Sequence, residues 1–214
     1  MRPAQARLAA LWLAGLLAFG ILAGFAAAHN TLPADQWVSH RLQEIHSSAF
    51  DDAVDFPEAL ADLPYVLAVW LPALALLLLL RHRWQAFLLL VAPVGWVADT
   101  GVKHLVDRPR PSPDLVRVTD AASGPSFPSG HAITAVLIFG LLFYFATILV
   151  RPAWLRLSLQ LACLYAIVFT GLARIYHGAH WFSDVYGALL LGLLILAPII
   201  ALDRLVIWRR QGVS

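Results

Sequence analysis

Apolar residues gather into six stretches, Leu8 to Ala28, Leu63 to Leu80, Trp84 to Val102, His131 to Val150, Ala153 to Ala173 and Phe182 to Leu202, with charged residues almost wholly between them. A helix needs roughly 20 residues to cross a bilayer, and each stretch is close to that length. The pattern predicts an all-α, polytopic bundle of six membrane-crossing helices. No repeat and no long linker divides it, so residues 1–214 are expected to form a single domain. Pro72, Pro93 and Pro198 fall inside stretches, where neighbouring helices can satisfy the freed carbonyls. The first stretch follows Arg2 and Arg7 and ends on Ala26-Ala27-Ala28, as a cleavable signal would. Its apolar core exceeds the roughly 7–15 residues of such a signal, so a retained helix is expected. Between the first two stretches, Trp37, Val38, Leu42, Ile45 and Phe50 recur at near-helical spacing. One helix is expected over Asp35 to Phe50, lying on the membrane interface or packed on the bundle as a connector.

Composition agrees with a membrane location. Hydrophobic residues make up 60% of the chain and charged residues 13%, with a mean hydropathy of +0.74, far from an ordinary soluble domain. The one cysteine, Cys163, lies in an apolar run, which excludes a disulfide framework and a cysteine metal site. The partner expected from composition is the bilayer, with no nucleic acid.

Charge sets the expected orientation. Arg2, Arg7, Arg81, Arg83, Arg151, Arg156, Arg204, Arg209 and Arg210 occupy alternate segments with Asp203 as their only acid, which marks the cytoplasmic side and puts both termini there. Asp35, Glu44, Asp51, Asp52, Asp55, Glu58 and Asp62 crowd the opposite side, facing a periplasm or the outside. The basic residues left on that outer face are Arg41, Lys103, Arg108, Arg110, Arg117 and Arg174. Exceptions to the rule need a local reason, and a shared anion would be one.

Three polar blocks at helix ends converge on that face if the helices alternate. His180 and Asp184, four apart, share one helix face. The carboxylate could fix the imidazole tautomer that leaves the other nitrogen free to attack; read alone, the pair could equally anchor a helix end. Pro128-Ser129-Gly130-His131 opens an apolar helix whose exposed amides suit a phosphate. His131 would stand beside it as an acid/base, or, in isolation, as a surface histidine after an N-cap. Lys103, Arg110 and Arg174 could clamp phosphoryl oxygens without a metal, although cations at a membrane surface also anchor to headgroups. Asp99, four residues before Lys103, reads as its structural ion-pair partner. His177 and His180, three apart with no cysteine or third ligand, make weak zinc evidence, and His177 is expected to cap or line the turn.

In order and spacing these blocks resemble the phosphatidic acid phosphatase type 2 family. Its pattern is Lys, six residues, Arg-Pro; then Pro-Ser-Gly-His; then Ser-Arg, five residues, His, three residues, Asp. Here those are Lys103 to Arg110-Pro111, Pro128 to His131, and Ala173-Arg174 to His180 and Asp184, with Ala173 replacing the serine. The resemblance implies a metal-independent, cofactor-free lipid phosphatase in the inner membrane, with its site at the outer end of the bundle. His180 would be the nucleophile, Asp184 its orienting partner and His131 the acid/base, while Lys103, Arg110, Ser129, Gly130 and Arg174 would hold the phosphate. Substrates implied are undecaprenyl diphosphate, phosphatidylglycerophosphate or phosphatidate. A phosphotransferase would share the first chemical step and differ in needing an acceptor. A transporter or scaffold that only binds phosphate is the third alternative, against which the intact His180, His131 and Asp184 argue. The turn-rich stretch Ser112 to Phe127 is where headgroup selection is expected, as a lid.

Overall fold

The computed structural model describes residues 3–62 and 65–211; Arg2 and Leu63 lie outside the described residues. The described residues form nine helices and no strand: α1 (Pro3–Ala28), α2 (Pro33–Gln43), α3 (Ser48–Ala59), α4 (Tyr65–Leu79), α5 (Arg83–Val91), α6 (Val94–Val106), α7 (Gly130–Leu149), α8 (Ala153–Tyr176) and α9 (Phe182–Gln211). Five stretches are long and apolar enough to cross a membrane: α1, α5 with α6 (Arg83–Val106), α7, α8 and α9. The chain is a multi-pass membrane protein. Helix α4 has 15 residues and is a shorter apolar helix.

Helix α7 is the core. It is apolar on every side, which suits a helix enclosed by others, and it packs against α6, α8 and α9. Small residues set the closest approaches. A Cβ on Gly192 of α9 would stand 2.7 Å from Val136 Cγ1, and one on Gly140 of α7 would stand 2.6 Å from Leu196 Cδ2. By contrast α1 is largely exposed along its length and is tied to α9 by Trp12 Nε1 donating to Leu194 O at 2.9 Å.

Two local breaks differ from the sequence pattern. The stretch from Trp84 is interrupted at Ala92-Pro93, where the proline lacks the N–H that would continue the ladder, and α6 runs on to Val106. The helix expected over Asp35 to Phe50 is instead two helices. The chain leaves α2 after Gln43, and Ser47 restarts it in an extended conformation (φ −151°), its carbonyl accepting from Phe50 N and Asp51 N.

The buried face of α2 is also more polar than the apolar spacing suggests. Val38 and Leu42 pack on the core, but Trp37 is exposed while Asp35, Ser39 and Gln43 are buried. Those polar groups face inward because they have partners there. Gln43 Nε2 donates to Arg117 O at 2.7 Å and Tyr176 O at 2.9 Å, and its Oε1 accepts from Arg117 N at 3.0 Å. Helix α3 lies on α8, where Tyr165 OH donates to Ala53 O at 2.7 Å and Thr170 Oγ1 to Pro57 O at 2.8 Å.

At the far end of α9 from Phe182, Asp203 is fully buried. It accepts from Gln85 Nε2 at 3.0 Å and from Tyr144 OH at 2.6 Å, joining α5, α7 and α9.

Gly192→Leu should lower the unfolding midpoint in detergent, since overpacking costs about 1–3 kcal/mol. Gly20→Leu, whose Cβ would meet nothing within 4 Å, should not. Equal midpoints would remove Gly192 from the packing seam.

Candidate active site

The ends of α6 and α8 and the starts of α7 and α9 meet at one end of the bundle. Asp107 ends α6 in the left-handed region (φ 43°). Pro109 and Pro111 then bias Arg108 and Arg110 toward extended backbone. Gly178 (φ 68°) turns the chain from α8 toward α9, and a Cβ there would strike the Arg117 carbonyl, so only glycine fits. Ser129 N donates to Asp184 O at 3.2 Å, joining the start of α7 to the start of α9.

Asp184 is held from three sides. Arg108 Nη1 donates to its Oδ1 at 2.6 Å, while Ser126 Oγ and Trp181 N donate to its Oδ2, the latter at 2.8 Å. Arg108 is itself fixed. Its Nη1 also donates to Ser183 Oγ at 2.7 Å and its Nη2 to Asp35 Oδ2 at 2.6 Å, while Asp35 Oδ1 accepts from Ser183 N at 2.9 Å. The side chains of Arg108, Asp35 and Asp184 are all 0% exposed.

The His180 ring lies between this carboxylate and Arg110. Its Nδ1 is 3.6 Å from Asp184 Oδ2, a close approach but longer than a hydrogen bond. Arg110 Nη1 lies 3.0 Å from Nε2 and also donates to Ala179 O at 2.8 Å. A guanidinium only donates, so Nε2 is the acceptor and the proton of the neutral ring is on Nδ1, facing Asp184. Burial lowers the His180 pKa to about 4, against the raising effect of Asp184, so the ring is neutral at pH 7. Burial and nearby Arg174 also push the Arg110 pKa below its ordinary value.

The other predicted residues are present, each with a partner or an open atom. Lys103 Nζ donates to Asp99 Oδ2 at 2.8 Å, as the four-residue spacing anticipates. That pair lies against Gly130, where a Cβ would stand 3.1 Å from Asp99 Oδ2 and 3.3 Å from Lys103 Nζ. Ser129 Oγ, Asp99 Oδ1, Arg174 Nε and His180 Nδ1 are buried without a protein hydrogen-bond partner, an arrangement that suits a site built to receive a ligand. Arg174 ion-pairs with Glu58 and, at 2.9 Å, with Asp120. His131 Nε2 is 2.5 Å from Asp62 Oδ1 rather than bonded to His180. An open cleft of about 500 Å³ is lined by His131, Arg174 and His177 together with Asp55, Glu58, Asp62 and Asp120.

Residues 83–208 match the PAP2 superfamily. The chain belongs to that superfamily. Over 121 residues it is 33% identical to phosphatidylglycerophosphatase B of Bacillus subtilis (strain 168), covering 54% of this chain and 56% of that one. The chain thus spans about half the length of this curated relative. Two solved structures share the fold. One is the transmembrane PAP2 type phosphatidylglycerolphosphate phosphatase from Bacillus subtilis, with a TM-score of 0.77, 22% identity, and 90% of this chain and 96% of that one covered. The other is Aquifex aeolicus LpxE, with a TM-score of 0.61, 24% identity, and 80% and 98% covered.

Sequence reasoning missed several residues of this candidate site. Arg108 reads only as one of the outer basic residues, and Asp35 as the start of a helix on the interface or packed on the bundle; both are buried behind Asp184. Asp62 and Glu58 read only as acids of the outer face, and Asp120 carried no signal. The one available signal was that Arg108, like Arg110, precedes a proline on the face where basic residues are scarce. The stretch Ser112 to Phe127 is pinned at its middle and at its C-terminal end: Arg117 is held by Gln43, Thr119 N donates to His177 O at 2.9 Å, and Ser126 N donates to Arg108 O at 2.8 Å. Among the described residues, Asp55, Glu58 and His177 bring one potential ligand atom each to within 4.8 Å of one another. Here those atoms bond to each other, with His177 Nε2 at 2.9 Å from Asp55 Oδ1 and 3.1 Å from Glu58 Oε2.

The depressed His180 pKa links stability to pH. The unfolded ring gains a proton near its ordinary value, so the contribution is complete above pH 6.5 and is lost as pH falls through about 4. Between those limits the stability of the native chain relative to His180→Gln should fall by about 3 kcal/mol, measured by unfolding in mixed micelles. Parallel curves would mean the ring is solvated.

Proposed function

We propose that this PAP2 chain is a metal-independent lipid phosphatase that removes phosphate from a membrane-embedded phosphate monoester or diphosphate through a phosphohistidine. In this reading residues 1–214 form one integral-membrane unit that crosses the bilayer six times, with α4 as the second crossing. Both termini are cytoplasmic and the site faces the periplasm or the outside, as the loop arginines favour. The observation that carries the mechanism is the His180 ring, buried and neutral, with Nδ1–H toward Asp184 and the Nε2 lone pair toward Arg110.

An arriving phosphoryl group offers its oxygens to Arg110, which then releases Nε2. Nε2 attacks phosphorus as the bond to the leaving oxygen breaks, and His131 gives that oxygen a proton. The positive charge developing on the ring is stabilised by Asp184. His131 next takes a proton from water, the oxygen attacks phosphorus, and the P–N bond breaks to return neutral His180 and free phosphate. Lys103, Arg110, Arg174, Ser129 Oγ and the Gly130 amide hold the equatorial oxygens. The orphaned Ser129 Oγ supports its place in that set. Among the candidate substrates, the name of the Bacillus subtilis relative supports putting phosphatidylglycerophosphate ahead of undecaprenyl diphosphate and phosphatidate.

Detergent-purified protein in EDTA should release phosphate from at least one of these three lipids, and His180→Ala should abolish both release and the acid-labile phosphoenzyme. Normal release by His180→Ala would sink the nucleophile assignment. Phosphate release only when a second lipid or sugar acceptor is added would favour the phosphotransferase. Arg174→Ala should lose roughly a hundredfold in rate, the scale of removing an anion-stabilising donor, and a loss under about threefold would take it out of the clamp.

A further inference from the structure

Glu58 connects the proposed clamp to a histidine that the mechanism does not use. Its Oε1 pairs with Arg174 Nη1, and its Oε2 lies 3.1 Å from His177 Nε2. Asp120 pairs with the same Arg174 Nη1 at 2.9 Å from the other wall. Two carboxylates therefore already share Nη1, one of the guanidinium nitrogens that a phosphate would use.

These carboxylates differ in how they can leave. The Asp120 side chain is 47% exposed and can turn to water, whereas that of Glu58 is 12% exposed. A carboxylate that buried cannot lose its cation without a large penalty unless another donor takes it. His177 is the group already on its second oxygen. The ring is set for this role: Thr119 Oγ1 lies 3.0 Å from Nδ1, His177 N donates to Ala173 O at 2.8 Å, and Asp55 Oδ1 shares Nε2 at 2.9 Å. The hydrogen bond to Glu58 raises the His177 pKa, with Asp55 adding to the effect against burial. Burial pushes Glu58 up, but the His177 hydrogen bond and the Arg174 charge outweigh it and keep its pKa below the ordinary value.

We propose that Glu58 and His177 are positioning residues for the phosphate seat. Glu58 holds Arg174 while the seat is empty of phosphate and passes to His177 when phosphate arrives, so that anion binding exchanges one carboxylate for one phosphate. This rests on Arg174 being part of the clamp. It predicts a coupling that simple proximity would not produce. Without Glu58 only the exposed Asp120 competes for Arg174, and without His177 the displaced carboxylate has nowhere to go.

The test is direct binding of inorganic phosphate to the detergent-solubilised full chain by calorimetry, which needs no turnover. Glu58→Gln should tighten binding about tenfold and His177→Gln should weaken it about tenfold. The double variant should bind like Glu58→Gln alone, because the weakening acts only through Glu58. His177→Arg, which restores a cation, should recover affinity, whereas a ring needed only for packing would not be rescued. Independent, multiplicative effects of the two single changes would overturn the exchange. So would an EDTA-sensitive affinity in the native chain, which would put a divalent cation among Asp55, Glu58 and His177. Should His177→Gln fail to fold, Glu58→Gln alone decides, since unchanged or weaker binding there rejects the idea. If phosphate binds with this pattern yet no lipid phosphate is hydrolysed, the phosphatase reading fails and the exchange stands.

Discussion

Everything at the polar end of the bundle depends on one guanidinium buried between two carboxylates. Arg108, Asp35 and Asp184 are wholly removed from solvent, and ions in such surroundings persist only when geometry and further hydrogen bonds offset their lost hydration. Here they do, through Ser183, Ser126, Trp181 N and Leu32 N. The triad ties α2, the loop after α6 and the start of α9 into one rigid corner. It also aims Asp184 so that an oxygen faces the His180 ring without being able to swing away. Loss of one member would strand a charge in the interior, so the corner stands or falls as a unit.

Around that corner the cations are not free. Lys103 is held by Asp99, Arg174 by Glu58 and Asp120, His131 by Asp62, and Arg110 rests on His180 Nε2. A cluster of positive groups would repel itself if left bare, and Glu58 of α3 and Asp62 of the following turn neutralise it together with Asp99 and Asp120. The acidic segment between α1 and α4 thus completes the electrostatics of the site as well as connecting two helices.

The fold was legible where length and hydropathy decide it. Helices α1, α7, α8 and α9 begin or end close to the apolar stretches, and the order of the polar blocks pointed to the family. Legibility ended where partners decide. Nothing in Asp35, Ser39 and Gln43 says that this stripe faces inward, because its burial depends on Arg108, Arg117 and Tyr176, which lie far along the chain. Likewise the spacing of His180 and Asp184 suggested one helix face, but α9 begins at Phe182, so His180 lies in the turn before it and its Nδ1 stands 3.6 Å from a carboxylate that is held elsewhere. The break at Ser47 was hidden because apolar positions continue across it.

The two buried carboxylates of α9, Asp184 and Asp203, are anchored at opposite ends of the helix, the first by Arg108 and the second by Gln85 and Tyr144. Nineteen residues separate them, about 28 Å at the ~1.5 Å rise of an α-helix, close to the ~30 Å thickness of a bilayer's hydrocarbon core. Helix α9 is in effect a ruler with a fixed mark at each end, and the depth of its polar end, where His180 lies, is set by membrane thickness rather than by any loop.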